Sequence, residues 1–279
     1  MDGKNIQLGN TAYHYYEIPN PGKPKMLLLH GMMVESHYFE KLATLLQAHY
    51  HLFLLDLKGH GKSGNGSSYD TSYTNDVIAA DLHAFHQAVI QEPFYLVGYS
   101  LGGQYSFKFA GTYPELLKGV VIIDSAPAVS LKGVFTILYA MLTTPKHFKD
   151  REHVYRHYDK RLAGLGEYMF KYCISQDAAG RYQIRYDQKN LAPSSSAKSA
   201  ARIKDLWQAA RKITAPTLIL RAEHSFVIND KLERQMKKII PQCEVVLMKG
   251  MEHNMVYTQA PALAEQIERF CTLAATPAV

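Results

Sequence analysis

The sequence predicts an α/β fold built on a mostly parallel sheet, with one helical segment inserted late in the chain. Short, continuously apolar runs ending in Gly, His or Asp alternate with longer segments whose apolar residues recur every three or four positions. That is the pattern of strands buried on both faces and covered by helices. Residues 130–212 break the alternation, with three helix-like stretches and no apolar run of strand quality. A length of 279 residues suits one core domain, 1–129 and 213–279, interrupted by that insertion.

Taken in order, the first strands are Lys25 to His30 (KMLLLH) and His51 to Asp56 (HLFLLD), with a helix from His37 to Ala48 between them. A helical spacing covers Thr71 to Gln91, followed by the strand Phe94 to Val97 and a helix that starts after Ser100 and must end before Pro114. Gly119 to Asp124 (GVVIID) closes this half. In the insertion, helices are expected over Leu131 to Leu142, Arg151 to Tyr172 and Lys198 to Lys212, with a polar loop through Pro193, Ser194, Ser195 and Ser196. The core rhythm then resumes with the strand Pro216 to Leu220, a helix near Asn229 to Ile240, the strand Glu244 to Met248 and a helix from Gln259 to about Leu273.

Composition narrows the function classes. The longest strongly apolar stretch, Val134 to Leu142, is half of what a spanning helix needs, and the first residues lack an apolar secretory core. A soluble cytoplasmic protein is expected. Cys173, Cys243 and Cys271 form no CxxC pair, so neither a disulfide framework nor a four-cysteine zinc site is available, and buried, inert thiols are expected. No His, Asp or Glu cluster has metal spacing, and neither a metal nor an organic cofactor is expected. The net charge of +6 is uneven: residues 130–212 carry 16 Lys and Arg against 7 Asp and Glu, +9, while the rest carries 15 − 18 = −3. With no recognition motif and a slightly acidic core, nucleic acid is not the expected partner.

The strongest chemical signal is Gly98-Tyr99-Ser100-Leu101-Gly102, followed by Gly103. It stands straight after a strand and straight before a helix, where a sharp turn forces the serine into a strained conformation with its hydroxyl exposed. A serine hydroxyl is a weak nucleophile at neutral pH and needs a base beside it. His253, in the loop after the strand Glu244 to Met248, is placed to reach over the sheet's carboxyl edge and accept that proton. Gly61-Lys62-Ser63 looks like the end of a phosphate-binding loop, but that motif needs Gly where this chain has Asp56, so the stretch reads as a structural turn with His60 hydrogen-bonded.

His30-Gly31, Asp56-Leu57-Lys58-Gly59-His60-Gly61-Lys62-Ser63, the Ser100 turn and Gly250-Met251-Glu252-His253, in this order, resemble the α/β-hydrolase superfamily along nearly the whole chain. The resemblance implies the α/β-hydrolase fold: an eight-stranded, mostly parallel sheet flanked by helices, with an all-helical lid inserted after the sixth strand. It also implies a nucleophile at Ser100, a general base at His253, and an oxyanion hole from the backbone N–H groups of Met32 and Leu101, with Met33 the next choice for the first donor. The side chains of Met32 and Leu101 would then be pocket walls.

The triad acid departs from the common pattern. Most of the superfamily place an Asp in the turn after the seventh strand, where this chain has Ser225. Asp124, Glu223 and Asp230 are the carboxylates that can substitute, and Asp124 is the expected one. It closes a buried strand at the sheet's active edge, where an unpaired carboxylate is costly, and some members similarly carry an Asp-x-x-Pro after the sixth strand.

The implied chemistry is acyl transfer to water through an acyl-enzyme, with a small-molecule carboxylic ester as the expected substrate. An acyl group on an acidic carrier protein or coenzyme A is the alternative, and the vacancy at Ser225 leaves a non-catalytic binding member of the fold as a third reading. The basic lid suits an anionic substrate or acidic carrier, with Lys160, Arg161, Lys171 and Arg181 as the cations named for it.

Overall fold

The computed structural model describes residues 2–187 and 195–275. Eight strands form one sheet: β1 (Asp2–Leu8), β2 (Thr11–Ile18), β3 (Lys25–Leu29), β4 (His51–Leu55), β5 (Phe94–Tyr99), β6 (Leu117–Ile123), β7 (Thr217–Ala222) and β8 (Cys243–Met248). Their spatial order is β1-β2-β4-β3-β5-β6-β7-β8. β2 runs antiparallel to both β1 and β4, and the neighbours from β4 to β8 are parallel. The apolar runs β3 to β7 are the central strands, buried on both faces as their composition requires, whereas the run Glu244 to Met248 lies in β8 at the sheet's edge with Glu244 and Leu247 exposed. The β1–β2 hairpin has no counterpart among the residue patterns, because β1 (DGKNIQL) is an exposed edge strand without apolar alternation.

Two apolar clusters cover the two faces of the sheet. One takes Leu42, Ala43 and Leu46 from α1 (Glu40–Leu46) with Leu263 and Ile267 from α8 (Ala260–Ala274). The other takes residues from α2 (Asn75–Phe85), α3 (Leu101–Thr112), α6 (Ser196–Ala210) and α7 (Asp230–Ile239), including Leu82, Phe107, Ala210 and Met236. Thr74, Ser195 and Asn229 cap their helices by accepting amide hydrogens three residues on. Cys173 and Cys271 are buried and Cys243 is only partly so, a departure from the expectation that all three are buried.

The insertion lies between β6 and β7. It contains α4 (Leu131–Thr143) and α5 (Arg151–Asp159), capped by Ser130 and Asp150. The expected all-helical character does not hold, because His147–Phe148, Ile174–Gln176 and Tyr182–Ile184 pair as a small antiparallel sheet. Strands of two and three residues are too short to leave a periodic signal. The helix expected over Arg151 to Tyr172 is broken: Gly164 adopts a left-handed φ of 80°, and Gly166 donates its amide to Asp159 across the turn. The third expected helix, α6, packs against α3, so closely that a Cβ on Gly111 would stand 2.1 Å from the Ala209 carbonyl oxygen. Pro193 and Ser194 of the expected polar loop lie outside the described residues.

Candidate active site

Ser100 occupies the turn between β5 and α3 with φ 52° and ψ −112°, a conformation strained for any side chain except glycine. Close packing holds it there. A Cβ at Gly98 would meet Ser106 Oγ at 2.2 Å, and one at Gly102 would meet the Leu29 carbonyl oxygen at 2.1 Å. The Ser100 amide donates to the Ile123 carbonyl at 3.0 Å, and Ser125 Oγ donates to the Ser100 carbonyl at 2.6 Å. The turn is thus tied to the end of β6 on both sides.

The structure brings Ser100, His253 and Asp124 into one hydrogen-bonded line. His253 Nε2 lies 3.1 Å from Ser100 Oγ, and Nδ1 lies 2.7 Å from Asp124 Oδ2. The imidazole is flanked by the rings of Phe226 at 4.5 Å and Tyr99 at 5.1 Å, which fix its plane. Asp124 is fully buried, at a φ of 43°. Its Oδ1 accepts the Ala222 amide at 3.1 Å, and its Oδ2 also accepts the Ser225 hydroxyl at 2.9 Å. Ser225 Oγ in turn accepts the amides of Val227 and Ile228, which leaves its own proton for Asp124. Every polar demand of the buried carboxylate is met.

The alternative carboxylates are engaged elsewhere. Glu223 accepts the Gly250 amide at 2.7 Å, and Asp230 pairs with Arg221 at 2.8 Å on the exposed side of α7. Ser225, noted in the sequence only as a missing acid, therefore hydrogen-bonds the carboxylate that stands against His253. The flanking role of Phe226 had no sequence signal beyond its neighbourhood.

Met32, Met33 and Ser100 line a cavity of about 420 Å³ whose other walls include Tyr38, Ile137, Arg161 and Phe226. Leu101 differs from expectation: its side chain packs against the apolar cluster on the other side of the sheet. Its amide opens α3, within the first turn, where backbone N–H groups have no acceptor inside the helix.

The loop carrying Met32 is held from below and above. Below, His30 donates from Nδ1 to the Gly31 carbonyl at 2.7 Å and accepts the Leu57 amide on Nε2 at 2.9 Å. Complete burial pushes its pKa down to about 4 and leaves it neutral. Asp56 accepts the amides of Ser36 and Lys62, so its segment is the structural turn the sequence implies, and His60 bonds the Lys58 carbonyl as expected. Above, the Tyr168 hydroxyl, from the insertion, bonds the amide, carbonyl and carboxylate of Glu35 at 3.1 to 3.2 Å. This tie joins residues 133 positions apart, a separation at which no local pattern can register.

A family model for the alpha/beta hydrolase fold matches residues 24–260. The chain belongs to the alpha/beta hydrolase family. Among its relatives, 2-(acetamidomethylene)succinate hydrolase of Mesorhizobium japonicum is 28% identical over 82% of this chain and 81% of its own length. Lipase 1 of Psychrobacter immobilis is 30% identical over 92% of this chain and 79% of its own length. The crystal structure of E-2-(acetamidomethylene)succinate hydrolase superposes with a TM-score of 0.85 at 23% identity, covering 97% of this chain and 99% of that one. The relatives of this alpha/beta hydrolase are thus hydrolases and lipases, and its sheet is the family's eight-stranded, mostly parallel one.

Proposed function

We propose that the protein is a serine hydrolase that cleaves a carboxylic ester through an acyl-enzyme. The observation that carries this reading is the Ser100–His253–Asp124 hydrogen-bonded line at the strained turn. His253 Nε2 takes the proton as Ser100 Oγ attacks the acyl carbonyl, and Asp124 holds the imidazole by its Nδ1–H. The amides of Met32 and Leu101 receive the developing oxyanion, each contributing roughly 3–4 kcal/mol to the barrier reduction. His253 then returns the proton to the departing alcohol, and a water repeats the sequence to release the acid. The cavity's mostly apolar walls suit a small or medium acyl group, under an insertion that serves as the lid.

Esters on an acidic carrier protein or coenzyme A form the second reading, favoured by the +9 of residues 130–212. A relative in Aeromonas salmonicida, 34% identical over 37% of this chain, is a pimeloyl-[acyl-carrier protein] methyl ester esterase. The purely binding reading is weakened by the carboxylate that stands against His253. A fluorophosphonate probe should label the wild type and not Ser100→Ala, and aryl esters of graded length should be turned over with the same dependence. Failure to label would exclude the serine-hydrolase reading; faster cleavage of carrier-bound thioesters than of matched esters, lost at high salt, would move the substrate to the carrier class.

A further inference from the structure

α4 is turned inside out. Leu131, Val134, Phe135, Leu138, Tyr139 and Leu142 are each between 47% and 76% exposed. At 100° per residue they form one continuous arc about 140° wide. The opposite side is small: Gly133 packs on the Phe226 carbonyl, and Thr136, Ile137 and Ala140 face the cavity. Among these six only Tyr139 also lines the cavity, so a substrate bound beside Ser100 leaves the stripe uncovered. A contiguous apolar face of this kind on a protein surface marks an interaction site.

Charge selects the partner. From Ser125 to Lys149 the chain has no Asp or Glu, while Lys132, Lys146 and Lys149 lie within it. Lys132 stands at the edge of the stripe, and the Arg161 guanidinium donates to Thr143 Oγ1 at the helix's last residue. Both ends of the apolar face are therefore cationic. A second copy of this chain would set like charges against each other. An anionic lipid surface offers the complement to both features, apolar depth for the stripe and negative headgroups for its rim. With 13 residues α4 is too short to span a bilayer, and among the described residues no helix is long and apolar enough to do so. Its length suits a helix lying in the interface.

We infer that α4 docks the protein, reversibly, onto an anionic lipid surface, with the cavity mouth beside the membrane. The docking does not depend on Ser100 chemistry. It is tested by co-sedimentation with vesicles of phosphatidylcholine, with and without one-quarter phosphatidylglycerol. The wild type should partition to the anionic vesicles. Phe135→Ser/Leu142→Ser, neither residue lining the cavity, should lower the partition coefficient about tenfold or more. Lys132→Gln/Lys146→Gln should lower it on the anionic vesicles by about fivefold per charge, with no change on phosphatidylcholine. Unaltered thermal midpoints show that the variants fold. Absence of wild-type partition, or equal partition of Phe135→Ser/Leu142→Ser, would overturn the inference. So would a dimer in sedimentation velocity that the same variant converts to monomer, which would assign the face to a second copy.

Discussion

Ser225 braces Asp124: its hydroxyl donates to the carboxylate oxygen that faces His253 Nδ1. Because Ser225 Oγ and Asp124 Oδ2 are 2.9 Å apart, a carboxylate introduced in place of Ser225 should reach the same imidazole edge. Asp124→Asn should lower turnover of an aryl ester by about 10³–10⁴-fold, while Glu223→Gln and Asp230→Asn stay near wild type. Adding Ser225→Asp to Asp124→Asn should restore at least part of the loss; no recovery in kcat would count against the shared position. Two buried histidines set a second expectation. His30 and His60 are held neutral, with pKa values pushed down by burial to about 4 and about 3. The unfolded chain protonates them below about pH 6.5. Between that pH and the folded values the unfolded state binds more protons, so stability falls as pH falls, by up to about 1.4 kcal/mol per pH unit for each histidine. Denaturant midpoints measured from pH 7 to 4.5 should decline, most steeply below 6.5; a flat profile would mean that neither histidine is held neutral in the fold.

At the scale of elements, what could be read from sequence is what is long or locally encoded. The strands β3 to β8 are apolar runs of five to seven residues, and the helices α4 and α7 have the three- and four-residue apolar spacing by which the sequence places them. Ser100, His253 and Asp124 were legible because each ends or follows such a strand. The hairpin strand β1, the small sheet of the insertion and the break at Gly164 were not, since each depends on pairing partners or on a single residue's φ. Nor was the Tyr168–Glu35 contact, which ties the insertion to the loop bearing Met32. Tyr168→Phe leaves the buried Glu35 amide without its partner and should cost about 1–3 kcal/mol of stability. If that tie positions the loop, kcat for a short ester should fall with KM little changed; a loss of stability with unaltered kcat would confine Tyr168 to a structural part.

For the molecule as a whole, the uneven charge acquires a more specific meaning from the structure. Of the four cations named from sequence, Arg181 pairs with Asp177 and Lys171 stands over the Tyr172 ring, while Arg161 lines the cavity. Arg161→Gln should therefore reduce kcat/KM for an anionic ester several-fold more than for its neutral counterpart, roughly the worth of one charge-assisted contact; equal losses would leave the basic segment without a part in selectivity. The strained turn at Ser100 has a wider consequence. A residue held at φ 52° costs about 1–3 kcal/mol wherever it is not glycine. Ser100→Gly should accordingly melt a few degrees higher than the wild type, about 2–4 °C, while hydrolysing nothing. On the proposed mechanism the variant relieved of this strain is an inert one, and engineering guided by thermal tolerance alone would drift toward erasing the site.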